Sequence, residues 1–364
     1  MTQHAPAGAT AATTGGTCLV TGGAGFIGSA MSPLLVRHFD RVVALDSLHP
    51  QIHPTADRPA DLDAAVELVV GDVTEPEVWD ALLIGVRPDV VVHLAAETGT
   101  GQSLAEASRH ALTNVVGTTR MFDALLRHDA LPRRIVLSSS RAVYGEGAWR
   151  AADGALFHPG QRTAEILERG QWDFPGATPE AMSAGTTTPA PVSVYGATKL
   201  AQETLLTAWA LSVHVEPVIL RLQNVYGPGQ SLINPYTGIM SLFCRLAKAG
   251  ESIPLYEDGQ VRRDFVLIDD VARALDAATA MPSPGAVPID IGSGEQQTIA
   301  TAAGLIARYY GAPDPHVTGQ YRQGDVRHAW ADVGHAADVL DWAPEYSLAQ
   351  GIERLAGWID TRGT

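Results

Sequence analysis

A tyrosine and a lysine four residues apart, in VSVYGATK (Tyr195 and Lys199), are the side chains best suited to proton transfer. On a helix, residues i and i+4 share a face, so the two project together. An ammonium beside a phenol stabilises the phenolate and makes tyrosine a usable base near neutral pH. Lysine in this place also suits a ribose hydroxyl. Upstream, IVLSSSRAVYG ends an apolar run in a serine cluster, and LVTGGAGFIGSA carries Gly22, Gly25 and Gly28 in the spacing G-x-x-G-x-x-G. Glycines between a strand and a helix permit a tight turn and bring backbone N–H groups close to a pyrophosphate at the helix N-terminus. Gly22, Gly25, Phe26, Ile27 and Gly28 are therefore candidate cofactor-binding residues.

An acid follows at the distance such a loop requires. Asp46 ends VVALD, where a carboxylate accepts the ribose hydroxyls of an adenosine and repels a 2′-phosphate, so NAD is expected rather than NADP. Asp72 ends LVVGD and, with Val73, is placed for the adenine; the competing reading is an aspartate that only caps a turn.

The elements that must hold these groups form a repeating pattern. Short β-branched runs at 17–21, 42–46, 68–72, 89–95, 134–140 and 217–222 alternate with helical periodicity at 26–39, 105–127 and 195–213. That alternation implies crossover connections and a doubly wound parallel sheet, an α/β Rossmann fold with binding sites at the carboxyl ends of the strands. The expected organisation is a tail over 1–16, an NAD-binding domain over 17–227 and a smaller α/β substrate lobe over 228–364, with 266–280 packing back on the first domain. Residues 145–191, rich in Pro, Gly, Ala and Thr, interrupt the pattern and are expected to be an insert or lid.

Composition narrows the partners. The 364 residues carry a formal charge of −15 without a basic run, which argues against nucleic acid or an anionic membrane. No apolar run reaches eighteen residues, so no membrane span is expected. Two cysteines, Cys18 and Cys244, exclude a disulfide framework and suit a cytoplasmic setting. None falls in the insert, and no metal site is expected. An acidic chain that binds an anionic substrate must do so with a few local arginines.

The motifs TGGAGFIG, HLAAETG, SSSRAVYG, YGATK, LRLQNVYGPG, RRDFVLIDDVA and YRQGDVRHAWAD, which span nearly the whole chain after the tail, resemble those of extended short-chain dehydrogenases/reductases of the nucleotide-sugar epimerase and dehydratase group. The resemblance implies that Ser140 hydrogen-bonds the reacting sugar oxygen, Tyr195 is the acid/base, Lys199 tunes it, and Asn114 helps hold cofactor and active-site water. Ala95, Ala96 and Thr98 would line the cofactor and sugar sites. Arg141, Asn224, Arg263, Arg322 and Asp325 would contact the nucleotide-diphosphate sugar, and two copies of the chain would pair through the helices near 105–127 and 195–213.

Within the group, 4,6-dehydratases carry an Asp–Glu pair after the catalytic Ser or Thr. Here Arg141 and Ala142 stand there, so dehydration lacks its proton carriers. DSLHPQIH, GTGQS and the insert resemble dTDP-L-rhamnose 4-epimerase-like sequences. Ala329 falls near the place where galactose epimerases set a bulky residue over the sugar, beside Trp330. The expected activity is NAD-dependent 4-epimerisation of a dTDP- or UDP-sugar. A 4-ketoreductase, an epimerase at another carbon and a non-catalytic NAD-binding regulator are the alternatives.

Overall fold

Val, Ile and Leu make up most of the short runs that become strands, and burial on both faces is what such runs require. In the computed structural model, which describes residues 15–232, 238–282 and 287–362, seven parallel strands form one sheet. They are β1 (Thr17–Thr21), β2 (Arg41–Asp46), β3 (Glu67–Val70), β4 (Val90–His93), β5 (Arg134–Ser140), β6 (Glu216–Leu222) and β7 (Ile289–Ile291). Their spatial order is β7-β6-β5-β4-β1-β2-β3. The chain winds outward from β1 to β3, then restarts at β4 on the other side of β1. This reversal opens a crevice at the carboxyl ends of β1 and β4, where the glycine turn lies.

Helices cover both faces. Phe26–His38 and Ile268–Ala280 pack on each other and on one face, around Cys18, Val20, Leu35, Val92 and Leu275. Pro76–Gly85, Gly117–Arg127 and Val194–Val213 cover the other, around Leu19, Trp79, Met121, Leu125 and Leu206. A third apolar cluster joins Ile239–Lys248, Ile299–Tyr310 and Leu348–Thr361 into a smaller unit beside the sheet. Residues beyond 228 thus supply both this unit and part of the sheet layer, since β7 and Ile268–Ala280 return to it. The tail expected over 1–16 lies, through residue 14, outside the described residues.

Two elements differ from the periodicity. The helical stretch expected over 105–127 is divided into Thr100–Ala105, Ala107–Ala111, a π-helical turn at Leu112–Val116 and Gly117–Arg127. At Gly117, where the π-helical turn ends, a Cβ would lie 2.9 Å from Val73 Cγ2, so the helix passes tight against the cofactor-side loop. The insert is folded, with Trp149–Ala151 between antiparallel Leu156–Phe157 and Ala177–Pro179 and a short helix Ala164–Glu168. Its buried Trp149 meets Phe174 edge-on at 4.8 Å. Its charged contacts run to the C-terminal part: Asp173 pairs with Arg327, and Arg162 pairs with Glu257.

Candidate active site

A cavity of about 1420 Å³ opens at the carboxyl ends of the strands. At one end the glycine turn forms its wall. Gly22 has φ +67, and a Cβ there would lie 2.7 Å from the Ala95 nitrogen, so only glycine lets the turn close on the end of β4. Gly25 caps Phe26–His38 without a side-chain cap, and no acid occupies the first helical turn. The N–H groups at this helix end remain available to an anion. Gly25, Phe26, Ile27, Val73, Ala95 and Ala96 line the cavity. Gly28 does not: a Cβ there would lie 2.4 Å from the Gly23 carbonyl oxygen, so it allows the helix to start against the turn.

Asp46 and Asp72 also line this end. Asp46 accepts hydrogen bonds from Ala24 N (3.0 Å) and Leu48 N (2.9 Å), so it braces the glycine turn as well as presenting a carboxylate. Asp72 Oδ1 accepts from Thr74 N and Oγ1, both at 2.8 Å, which is a turn cap. An uncapped helix end, glycines that exclude a Cβ and a carboxylate at the end of β2 fit the pyrophosphate and ribose of NAD. Asp46→Ala is expected to weaken NAD binding about 10- to 100-fold, on the scale of a lost charge-assisted hydrogen bond, and to relax discrimination against NADP. Fluorescence titration with both dinucleotides measures this, and unchanged NAD affinity would place the adenosine elsewhere.

Deeper in the cavity, β5 ends at Ser140 and the helix Val194–Val213 begins beside it. Ser193 caps that helix by accepting from Gly196 N at 3.1 Å. A Cβ on Gly196 would lie 2.4 Å from the Ala142 carbonyl oxygen, so a glycine after Tyr195 is what brings the helix start onto the Arg141–Tyr144 turn. Tyr195 then comes to lie beside Ser140. Burial pushes the phenol pKa up, opposed by the Ser140 hydroxyl and by the Arg141 charge. Lys199 Nζ donates to the Ser138 carbonyl at 2.8 Å. Burial pulls its pKa down to about 7, and Glu203, one turn further on, opposes the fall. Arg141 thus acts on the phenol as well, and Lys199, one helical turn from Tyr195, is anchored on β5.

Asn114, in the π-helical turn, is buried and not among the lining residues. Its Oδ1 accepts from Glu97 N (2.7 Å), and its Nδ2 donates to Glu97 O (3.0 Å) and Thr198 Oγ1 (2.9 Å). It ties the wall carrying Glu97 and Thr98 to the helix of Tyr195. Beneath it, His93 lies between Thr21 Oγ1 (2.6 Å) and Thr118 Oγ1 (2.8 Å). Burial and then the Lys199 charge pull the His93 pKa down to about 3, so the imidazole stays neutral.

The far end gathers cations. Arg141 Nε donates to Asn224 Oδ1 at 3.0 Å, which leaves the terminal nitrogens without a hydrogen bond among the described residues. Burial, then Arg263, lowers its pKa to about 10, and it remains charged at neutral pH. Arg263 donates to Asp325 Oδ1 (2.9 Å) and Val326 O (2.7 Å). Arg322 lies 5.2 Å over the Tyr256 ring. Arg141, Asn224, Arg263, Arg322 and Asp325, with Thr98, line the cavity. Two further lining residues were not among the expected ones: Arg245 on Ile239–Lys248, and Gln223, next to Asn224. Gln223 is the glutamine of LQNVYG, and its place beside Asn224 in that motif was the signal available. Four arginines around one end of a chain of charge −15 make a local anion site.

Comparisons with known proteins agree with this geometry. Residues 18–292 match the model of the NAD dependent epimerase/dehydratase family. The chain is 57% identical over 341 residues to the dTDP-L-rhamnose 4-epimerase of Burkholderia thailandensis, covering 94% of each chain. Among solved structures it is similar to the UDP-glucose 4-epimerase of Thermotoga maritima with UDP-glucose (TM-score 0.79, 25% identity, 96% of this chain and 100% of that one). It is also similar to the Thermus thermophilus UDP-glucose 4-epimerase in complex with NAD (TM-score 0.76, 25% identity, 94% and 99%). The family match over residues 18–292 and the 57% identity over 94% of the chain show that it belongs to the NAD dependent epimerase/dehydratase family.

Proposed function

We propose that this chain is an NAD-dependent nucleotide-sugar 4-epimerase whose substrate is dTDP-L-rhamnose. The observation that carries the reading is the centre formed by Ser140, Tyr195 and Lys199, with Arg141 where dehydration requires an acid. The 57% identity to a dTDP-L-rhamnose 4-epimerase supports the substrate. NAD held at the glycine turn and Asp46 would supply hydride exchange at C4. Ser140 holds the C4 oxygen, and Tyr195 removes and restores its proton. Lys199 fixes the end of β5 and holds a ribose hydroxyl. Asn224, Arg245, Arg263 and Arg322, with Asp325 orienting Arg263, hold the diphosphate while the sugar turns. Residues 17–227 chiefly carry the cofactor and 228–364 the nucleotide. The carboxylate of Asp46, suited to NAD rather than NADP, favours this reading over a ketoreductase.

Two copies are proposed to pair through Thr100–Ala105, the turn after it and Val194–Val213, where Leu104, Leu112 and Leu211 are 80%, 51% and 69% exposed. Sedimentation as a monomer at micromolar concentration would refute pairing. The buried thiols Cys18 and Cys244 suit the cytoplasm.

Incubation with dTDP-L-rhamnose, without added reductant, is expected to give a product of unchanged mass with inverted C4, read by NMR. Stoichiometric consumption of NADH or NADPH with a 4-keto sugar, and no epimer, would establish a reductase instead.

A further inference from the structure

Gln223 stands one residue beyond the end of β6, whose last residue, Leu222, pairs with Ser140 across the sheet. Its backbone nitrogen donates to Ile291 O at 2.9 Å, which fixes it at the rim. Side chains alternate along a strand. Leu220 and Leu222 enter the apolar cluster with Cys18, whereas Arg221 reaches Glu203 on the helix of Tyr195. Gln223 follows Arg221 to that side.

Gln223 lines the cavity and is only 5% exposed, yet neither Nε2 nor Oε1 has a hydrogen-bond partner. The nearby Asp264 carboxylate already accepts from Ser293 N, Ser293 Oγ and Gly294 N. A Cβ on Gly292 would crowd both Asp264 Oδ2 (2.3 Å) and Gln223 Cγ (2.8 Å), so the glycine makes room for this packing. A carboxamide taken out of water with donor and acceptor both unmet is destabilising, and native interiors hold few such groups.

We propose that Gln223 reads the sugar: its carboxamide pairs with a ring hydroxyl of the hexose set against Ser140 and Tyr195, and so decides which sugars turn over. The inference rests on the nucleotide-sugar reading above. The partner is a hydroxyl because an amide offers a donor and an acceptor side by side, as a hydroxyl does. The same pairing therefore remains available whichever face of the sugar is presented, as epimerisation requires.

Gln223→Met keeps the length and removes both polar atoms. Calorimetry would compare dTDP with dTDP-L-rhamnose in the wild-type enzyme and the variant. Affinity for dTDP is expected to be unchanged, while the tightening contributed by the sugar falls about 10-fold or more, and kcat/KM falls with it. Monodeoxy analogues give a readout that a structural role would not move: removing one ring hydroxyl should weaken binding to the wild type but not to Q223M. Thermal stability of the variant should equal or exceed that of the wild type, because two unmet groups are gone. Equal sugar contributions in the two proteins, or no analogue with that selective loss, would overturn the proposal. Failure of the wild type to epimerise any sugar would defeat the functional reading instead, and the calorimetric comparison would still decide on Gln223.

Discussion

Tyr195→Phe is expected to bind NAD and dTDP-sugar almost as the wild type does and to lose turnover by about 100- to 10,000-fold, the usual worth of a positioned acid/base. The change removes one oxygen from a ring otherwise held by packing, edge-on to His110 with centroids 6.5 Å apart. The helix cap at Ser193 and the Gly196 contact do not involve the phenol, so the fold around it should persist. Ser140 keeps its bond from Ala142 N. What disappears is the one group placed both to accept a proton from the substrate oxygen and to feel the Arg141 charge. The split should therefore appear in kcat, with KM and retained NAD little changed. Rates followed by NMR, together with NAD released on denaturation, measure both. Turnover near the wild-type level would remove Tyr195 from the chemistry.

The groups that act through backbone turns were legible in the sequence, because spacing alone implies their geometry. Gly22 with Asp46, and Tyr195 with Lys199, are short-range patterns that a strand–turn–helix context makes specific. Groups that act through tertiary contact were not. β7 is three residues long and has no periodicity to detect. The π-helical turn that aims Asn114 at Glu97 ends where Gly117 passes Val73, forty-odd positions earlier in the chain. Asp46 was legible as a ribose ligand but not as the brace on Ala24, and Lys199 was legible as a cation beside Tyr195 but not as a ligand of Ser138. Arg141, a second cation acting on the phenol, is held by the Asn224 side chain. The Pro, Gly and Thr content marked the insert but gave no sign of its buried ionic core, whose partners reach to Glu257, far off in the chain.

That core makes Arg162→Ala the variant with the largest expected effect on stability. Arg162 donates to Glu257 from both terminal nitrogens (2.8 and 3.0 Å), to Glu146 (3.2 Å) and to the Asp325 carbonyl (2.8 Å), with about 1% of its side chain exposed. Breaking a buried pair by removing one partner costs about 3–5 kcal/mol, because a desolvated charge is left behind. Glu257 would keep Arg327, but Glu146 would keep only the Arg327 backbone N–H among its hydrogen bonds. The effect should depend on pH. Burial already raises the Glu146 pKa to about 7, above its ordinary value, so this group favours the folded state most at low pH and loses that contribution as pH rises toward 7. Arg162 is the largest influence lowering that pKa, so its removal raises the folded value further and enlarges the penalty at higher pH. Urea unfolding should therefore show a greater loss at pH 8 than at pH 6. Because Arg162 holds the Asp325 carbonyl and Asp325 holds Arg263, KM for the nucleotide sugar should rise while kcat, set at Tyr195, changes little. A loss below about 1 kcal/mol at both pH values would mean that the insert is fastened by Trp149 and its apolar neighbours rather than by this arginine.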